Sequence, residues 1–141
     1  MRAHVYEKCY LLMLKNYCMN VYGRKGKSQQ IPKNYDQSTI LTIAFETVVL
    51  GWGKFTDAGF YLLKGSRVMT SYEGQNNPGI KKIIKDLLND NLLTEDYPYY
   101  ILKSDILLYS PSTAARLIHG NSRNGYTSWI KEGKTLWDLI K

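Results

Sequence analysis

The sequence is poor in the side chains that build metal and disulfide sites, with two histidines and two cysteines in 141 residues. His4 and Cys9 fall on different sides of a predicted helix, and His119 has no partner at the spacing of metal ligands. Cys9 and Cys18 would lie about 13 Å apart along that helix, which is too far for a disulfide. We therefore expect no metal site, and buried, reduced thiols of the kind found in cytosolic proteins.

Convergent catalytic groups are also missing from the sequence. Its carboxylates are scattered, and Asp86 and Asp90 stand four residues apart on a predicted helix, where lysines are better partners than a metal. The Ser110-Pro-Ser112 segment superficially resembles a nucleophile motif, but helix capping explains it. No loop has the glycine pattern that cradles phosphates. The sequence therefore predicts a protein that is not an enzyme and needs no cofactor.

No segment approaches the roughly 20 apolar residues that a membrane-spanning helix requires. The N-terminal apolar run over residues 10–14 is bounded by Lys8 and by Lys15-Asn16, and no signal peptide is evident. We therefore expect no membrane partner and a location in the cytoplasm of a bacterial host cell.

Acidic residues are outnumbered by basic ones, 12 against 19, which gives a net charge of +7. A basic domain favours polyanions or acidic protein surfaces as partners, although a solubilising charge excess explains the same balance. The basic residues are scattered except at Arg24-Lys25-Gly-Lys27. This cluster lies in a polar stretch over residues 23–37, where its side chains either contact phosphates or remain solvated.

Residues 1–55 are predicted to form a helical, aromatic extension with this basic loop. Apolar residues at helical spacing predict a helix over residues 4–22, ended by Gly23. Residues 38–50 fit either a helix face or a β-branched strand, and Gly51-Trp-Gly53 is expected to end that element. Tyrosine is enriched at interfaces, so the helix is a candidate partner or homodimer surface; the alternative is that its tyrosines pack on the rest of the chain. These tyrosines are Tyr6, Tyr10, Tyr17 and Tyr22.

Residues 56–141 are predicted to form a second unit of helices and strands. Asn77 and Pro78 start a helix that extends to Leu93, and Ser110 and Pro111 start another that stops at Gly120. The remaining segments are predicted as strands over residues 60–63, 67–71, 99–102, 105–108 and 126–130, a tight Asn124-Gly125 turn, a turn over residues 132–134, and a last helix capped by Thr135. The expected fold class is α+β, a small antiparallel sheet packed by two helices, with an N-terminal helical extension.

Several short segments of this second unit carry a family resemblance when taken in order. They are Thr56-Asp-Ala-Gly-Phe-Tyr-Leu-Leu-Lys-Gly-Ser66, Ser110-Pro-Ser-Thr-Ala-Ala115, Gly120, Asn124-Gly125, Trp129 and Gly133-Lys-Thr-Leu136. They resemble an uncharacterised bacterial and phage domain that is often appended to the C-terminus of GIY-YIG nucleases. That domain is similar to the one associated with restriction enzymes and adenine methylases, and the resemblance covers residues 56–138.

The resemblance implies an accessory module of DNA-processing or restriction systems that contacts DNA, and it implies no catalysis. The first 55 residues are too short for a GIY-YIG nuclease and contain no Gly-Ile-Tyr and Tyr-Ile-Gly pair. Nuclease activity of relatives is therefore not expected of this chain.

The predicted nucleic-acid site lies at one end of the helix that begins at Pro111. Arginine and lysine contact phosphates, asparagine reads adenine edges, and exposed aromatic rings stack on bases. Trp129 is expected to anchor the core rather than to stack, and His119 to complement the helix dipole as a partly positive imidazole. The candidate residues are Arg116, Asn121, Arg123, Asn124, Tyr126, Lys131 and Lys134.

Two functions follow from these observations. The favoured one is non-enzymatic binding of DNA or RNA in a DNA-processing, restriction or phage-defence setting. The alternative is a phage or mobile-element protein that binds and inhibits, or tethers, a host defence nuclease. The partner interface for this alternative comprises Tyr6, Tyr10, Tyr17, Arg24, Lys25 and Lys27.

Overall fold

A computed structural model describes residues 21–23, 30–70, 77–121 and 123–141. Its strands are β1 (Val21–Tyr22), β2 (Leu41–Phe45), β3 (Val48–Thr56), β4 (Gly59–Leu62), β5 (Arg67–Met69), β6 (Leu93–Asp96), β7 (Tyr99–Leu102), β8 (Ile106–Leu108), β9 (Ile130–Lys131) and β10 (Lys134–Thr135). Its helices are α1 (Pro78–Asn89), α2 (Pro111–His119), α3 (Gly125–Ser128) and α4 (Leu136–Ile140). None of these helices is long and apolar enough to cross a membrane.

The described strands form two sheets. The main sheet has seven strands in the order β1-β8-β4-β3-β2-β9-β10, and the second has three in the order β5-β7-β6. Strands β1 and β8 are parallel, and the other described pairs are antiparallel. The mixture of helices and strands is confirmed, but the expectation of one small antiparallel sheet is wrong. Strand β5 pairs with β7 and not with β4, so the strand predicted over residues 67–71 belongs to the second sheet.

Residues 38–50, which fitted either a helix or a strand, form most of the β2–β3 hairpin. The predicted break at Gly51-Trp-Gly53 is wrong, because β3 continues through both glycines to Thr56. A Cβ at Gly51 would lie 2.6 Å from Cδ1 of Ile118, and one at Gly53 would lie 2.3 Å from the Phe60 ring. The glycines therefore serve close packing within the strand. The domain boundary predicted between residues 55 and 56 falls inside β3.

The N-terminal prediction lies mostly outside the described residues, and so do Tyr6, Tyr10, Tyr17, Arg24, Lys25 and Lys27. The predicted helix over residues 4–22 is wrong at its last two residues, because Val21 and Tyr22 form β1 and pair with β8. Tyr22 is buried, and its hydroxyl donates to Oδ2 of Asp90 at 2.5 Å. This tyrosine therefore belongs to the core and not to an exposed interface, because parallel pairing with β8 turns its ring inward.

The core lies on the face of the main sheet that α2 covers. Helix α2 contacts β3, β4 and β8 of the main sheet and β5 of the second sheet. Its buried residues include Ala114, Leu117 and Ile118, and Trp129 packs on Phe60 with ring centroids 4.6 Å apart. The position of α2 against strands of both sheets follows from its small alanines, which allow close approach.

Local signals for the helix ends are confirmed. Asn77 caps α1 by accepting from the backbone of Gly79 at 3.0 Å, and α1 ends at Asn89, short of the predicted Leu93. Ser110 caps α2 by accepting from the Thr113 N–H at 3.1 Å, and Gly120 ends it with a φ of 72°. Thr135 starts α4 in a reciprocal capping box with Asp138. The three N-caps and the C-terminal end of α2 form where predicted because each depends on side chains close in sequence.

The Asn124-Gly125 segment does not form the predicted tight turn, and residues 126–130 do not form the predicted strand. Asn124 is instead the N-cap of α3, with its side chain accepting from the Tyr126 N–H at 3.0 Å. Asparagine favours both turns and helix caps, so the dipeptide alone does not distinguish them. The close contact of Gly125 with the first residues of α2 favours the short helix α3 over a tight turn.

Candidate nucleic-acid interface

The predicted site belongs to the C-terminal module, which we define as residues 111–141. Two bonds join α3 and its following residue to the first turn of α2. The Gly125 N–H donates to Oγ of Ser112 at 2.9 Å, and the indole Nε1–H of Trp129 donates to the Pro111 carbonyl at 3.0 Å. The N-terminal ends of α2 and α3 are therefore held together.

The loop before α3 runs back along α2, and this divides the predicted site. Helix α2 has nine residues and is about 13 Å long. Gly120 follows its C-terminal end, whereas Gly125 contacts Pro111 and Ser112 at its N-terminal end. The expected cluster at one end of α2 is thus wrong. Arg116 and the start of the loop lie at one end, and Asn124 and Tyr126 lie at the other.

Arg116, His119 and Arg123 form the group at the C-terminal end of α2. Arg123 donates from Nε to Oδ1 of Asn121 at 2.8 Å. Burial, and then the positive charge of Arg123, lower the pKa of His119 below its usual value of 6.5. This direction disfavours the partly positive imidazole that was expected, because burial and a neighbouring guanidinium both oppose protonation of the ring. The two arginines are the main source of positive charge in this group.

Both predicted asparagine readers already have a donor on the amide oxygen. Oδ1 of Asn121 accepts from Arg123, and Oδ1 of Asn124 accepts from the Tyr126 backbone. The Asn124 carbonyl also accepts from the hydroxyl of Ser128 at 2.8 Å. These bonds stabilise the loop and the start of α3. The main role of the two asparagines is therefore to fix the local conformation next to the arginines.

The hairpin of β9 and β10 brings two cations together. Lys131 and Lys134 are directly paired across its antiparallel strands, joined by a turn with positive φ at Glu132 (51°) and Gly133 (80°). Paired residues have Cβ atoms about 5 Å apart, and like charges in this position are destabilising. No acidic group among the described residues lies within ion-pair distance of either lysine.

An aromatic row runs from the core to the surface of the module. Tyr35, Phe55, Tyr126 and Trp137 follow one another edge to face, with successive centroids 6.3, 6.0 and 6.2 Å apart. Burial, and to a lesser extent Asp36, raise the pKa of Tyr35 at the inner end to about 12. Trp137 at the outer end is 43% exposed.

The two tryptophans of the module have opposite environments. Trp129 is 0% exposed, which confirms its role in the core and excludes stacking on a base. Trp137 was missed as a candidate by sequence reasoning. Local spacing gives no clear signal, because the buried Ile140 stands four residues from Leu136 but also three residues from Trp137.

Charge is distributed unevenly along the chain. Residues 1–41 contain seven basic and two acidic side chains, and the C-terminal module contains five and two. Residues 42–110 contain seven basic and eight acidic ones. The net positive charge therefore belongs to the two ends of the chain, and the described end is the C-terminal module.

The described residues offer no metal centre. No group of three His, Cys, Asp or Glu lies together in the described ranges. Asp86 pairs with Lys82 at 2.8 Å, which confirms the expected lysine partner. Asp90 accepts from Tyr22, so this carboxylate supports the packing of β1.

A second exposed feature is the tip of the β2–β3 hairpin, which we call the apolar tip and define as residues 45–49. Phe45 and Val48 are paired across it and are 55% and 56% exposed. In the described part of the chain, β2 pairs with β9 only at Thr42, so the edge next to the tip is open. Exposed apolar side chains beside an open strand edge are typical of protein contacts.

Comparison with known proteins identifies the family. A family model described as a domain of unknown function, DUF4357, matches residues 42–140. No curated protein and no solved structure matches the chain. The match covers β2 to α4, which includes the three-stranded sheet, the main sheet except β1, and the aromatic row except Tyr35. The chain therefore belongs to the DUF4357 family.

Proposed function

We propose that this protein is a non-enzymatic nucleic-acid-binding module that acts in a DNA-processing, restriction or phage-defence setting. The observation that carries the proposal is the Lys131–Lys134 pair, two like charges directly opposite each other with no carboxylate of the described residues within ion-pair distance. Asp138 interacts with Lys134 only at longer range. Like charges in this position repel each other, and a bound phosphate would lessen that repulsion. The setting follows from the resemblance to modules appended to GIY-YIG nucleases and restriction enzymes.

The arginines of α2 and its loop support the same proposal. No hydrogen bond from the Arg116 guanidinium and no ion pair of Arg116 or Arg123 is found among the described residues. Arg116 is partly exposed, so its guanidinium can reach solvent from the last turn of α2. Guanidinium groups in this state bind phosphate oxygens through paired N–H donors.

The experiment is a salt titration of DNA binding by the unaltered protein and by the Arg116→Ala/Arg123→Ala double variant. Loss of two phosphate contacts is expected to reduce the slope of log K against log salt by about 2 and to weaken binding at low salt at least tenfold. Fluorescence anisotropy of a labelled duplex measures both quantities.

The matched control is the Lys85→Ala/Lys103→Ala variant, which removes two exposed positive charges outside the C-terminal module. Its slope is expected to stay within about 1 of the parent slope. Equal losses in the two variants would contradict a local site, and absence of binding at low salt would contradict the proposed function.

A second function is proposed from the apolar tip: binding to a host defence nuclease, which the protein inhibits or tethers. Phe45, Val48 and Val49 are exposed together at the end of one hairpin. Their contact with a partner would bury apolar area that water now covers.

The Phe45→Ser/Val48→Ser variant tests this second function. It is expected to reduce recovery of a co-purified nuclease about tenfold while leaving DNA binding unchanged, because both side chains lie outside the C-terminal module. Quantitative mass spectrometry of tagged-protein eluates measures recovery. Leu88→Ser, which alters an exposed apolar residue of α1, is the control. Recovery of the same nuclease by both variants and the parent would contradict the assignment.

A further inference from the structure

We infer that Trp137 is a stacking platform for one unpaired base, so that the C-terminal module prefers single-stranded nucleic acid to duplex. This inference rests on the proposed function and names its substrate class. It starts from the one tryptophan of the module that is turned to solvent, with 43% of its surface exposed.

The ring of Trp137 packs against a second aromatic ring. The Tyr126 ring lies at 6.2 Å and 81° to it, and Phe55 holds Tyr126 in turn at 6.0 Å and 81°. Phe55 is buried in the main sheet, so the row ends on a rigid strand. A platform that is already ordered loses little conformational entropy when a base stacks on it.

The charges around Trp137 suit a strand with a phosphate on either side of the stacked base. Lys134 precedes α4 in the hairpin, and Lys141 follows Trp137 by one helical turn, which places it on the same side of α4. The nearby carboxylate of Asp138 is engaged in the capping box with Thr135, and it lies 3.8 Å from Lys141. Hydrogen bonds from Thr135 hold the pKa of Asp138 below its usual value, so its charge is stabilised within the helix end.

Single-stranded substrate follows from the chemistry of stacking. Bases in a duplex stack on each other and present only their edges to a protein, whereas an unpaired base presents its face. Stacking on an aromatic side chain tolerates every base, so the module is expected to show weak sequence preference. Arg116, Arg123 and Lys131 are expected to contact phosphates in single-stranded and in duplex nucleic acid alike.

The experiment compares Trp137→Ala, Trp137→Leu and Trp137→Phe on fluorescein-labelled oligodeoxythymidine and on a duplex of the same length. Trp137→Ala and Trp137→Leu are expected to weaken single-strand binding about tenfold and duplex binding less than twofold. Trp137→Phe, which keeps an aromatic face, is expected to restore most of the affinity. Tyr97→Leu, which alters an aromatic residue 86% exposed on the β6–β7 turn, is expected to bind as the parent does.

Tryptophan emission gives a second readout in the same samples. Stacking quenches the Trp137 emission of the parent, and Trp137→Phe is expected to lose this quenching while Trp52 and Trp129 still emit. Circular dichroism of each variant verifies the fold.

The outcomes separate the inference from the proposed function. Equal affinity of Trp137→Leu and Trp137→Phe, or equal losses on duplex and single strand, overturns the stacking inference. Binding that needs Arg116 and Arg123 but survives Trp137→Ala overturns the inference and leaves the proposed function in place. Absence of any binding by the parent protein overturns both.

Discussion

Trp129→Ala is expected to lower the free energy of unfolding by about 3–5 kcal/mol, the usual cost of removing a large buried aromatic side chain. Trp129 has 0% of its surface exposed and packs on Phe60 at 4.6 Å. Its indole N–H also donates to the Pro111 carbonyl at 3.0 Å, and the substitution would remove this buried bond. Since small domains are stable by about 5–15 kcal/mol, this loss removes a large part of the total.

Urea denaturation followed by circular dichroism measures this effect. Trp129→Phe keeps an aromatic ring but not the hydrogen bond, so its cost is expected to fall between those of the parent and Trp129→Ala. Trp137→Ala removes a tryptophan that is largely at the surface and is expected to cost about 1 kcal/mol or less. Similar midpoints for Trp129→Ala and Trp137→Ala would contradict the assignment of Trp129 to the core.

Gly125→Ala is expected to destabilise the protein by about 3 kcal/mol, at the upper end of overpacking effects. A Cβ at this position would lie 2.2 Å from the carbonyl carbon of Pro111 and 2.3 Å from the backbone nitrogen of Ser112. These atoms belong to the backbone of α2, so no side-chain rotation relieves the contact. Separation of α3 from α2 would also break the bond from the Gly125 N–H to Ser112.

Gly79→Ala is the matched control, because it also adds one methyl group in the first turn of a helix. The closest atom to its Cβ would be Oδ1 of Asn77 at 3.3 Å, on a side chain that can shift. We expect its free energy of unfolding to stay within about 1 kcal/mol of the parent value. Thermal or urea midpoints compare the two variants, and an equal loss in both would refute steric contact with α2 as the cause.

Helix ends were the part of the fold that could be predicted from sequence. Asn77, Ser110 and Thr135 cap helices in the positions expected, and Gly120 ends α2. Each of these signals acts over three or four residues, so it depends little on distant contacts. The buried residues of α1, Ile80, Ile83 and Leu87, recur in the sequence at helical spacing.

Strand assignment and sheet membership could not be predicted in the same way. The β-branched residues over 38–50 are compatible with a helix or with a strand. The pairing of β2 with β3 determines that they form strands. Val21 and Tyr22 continue a helical pattern in sequence, yet they pair with residues more than eighty positions away in β8. Pairing over such distances depends on the whole topology and leaves little trace in a local window.

The candidate site likewise combines features that the local sequence predicts with features that only the tertiary structure determines. Sequence alone placed Arg116, Arg123, Lys131 and Lys134 in one basic module, because their charge and their neighbouring caps are local properties. Tertiary structure decided that the loop runs back along α2, that Lys131 faces Lys134, and that Trp137 and not Trp129 is exposed. Exposure is set by which elements pack against a side chain, and that packing exists only once the sheet, α2 and α3 have assembled.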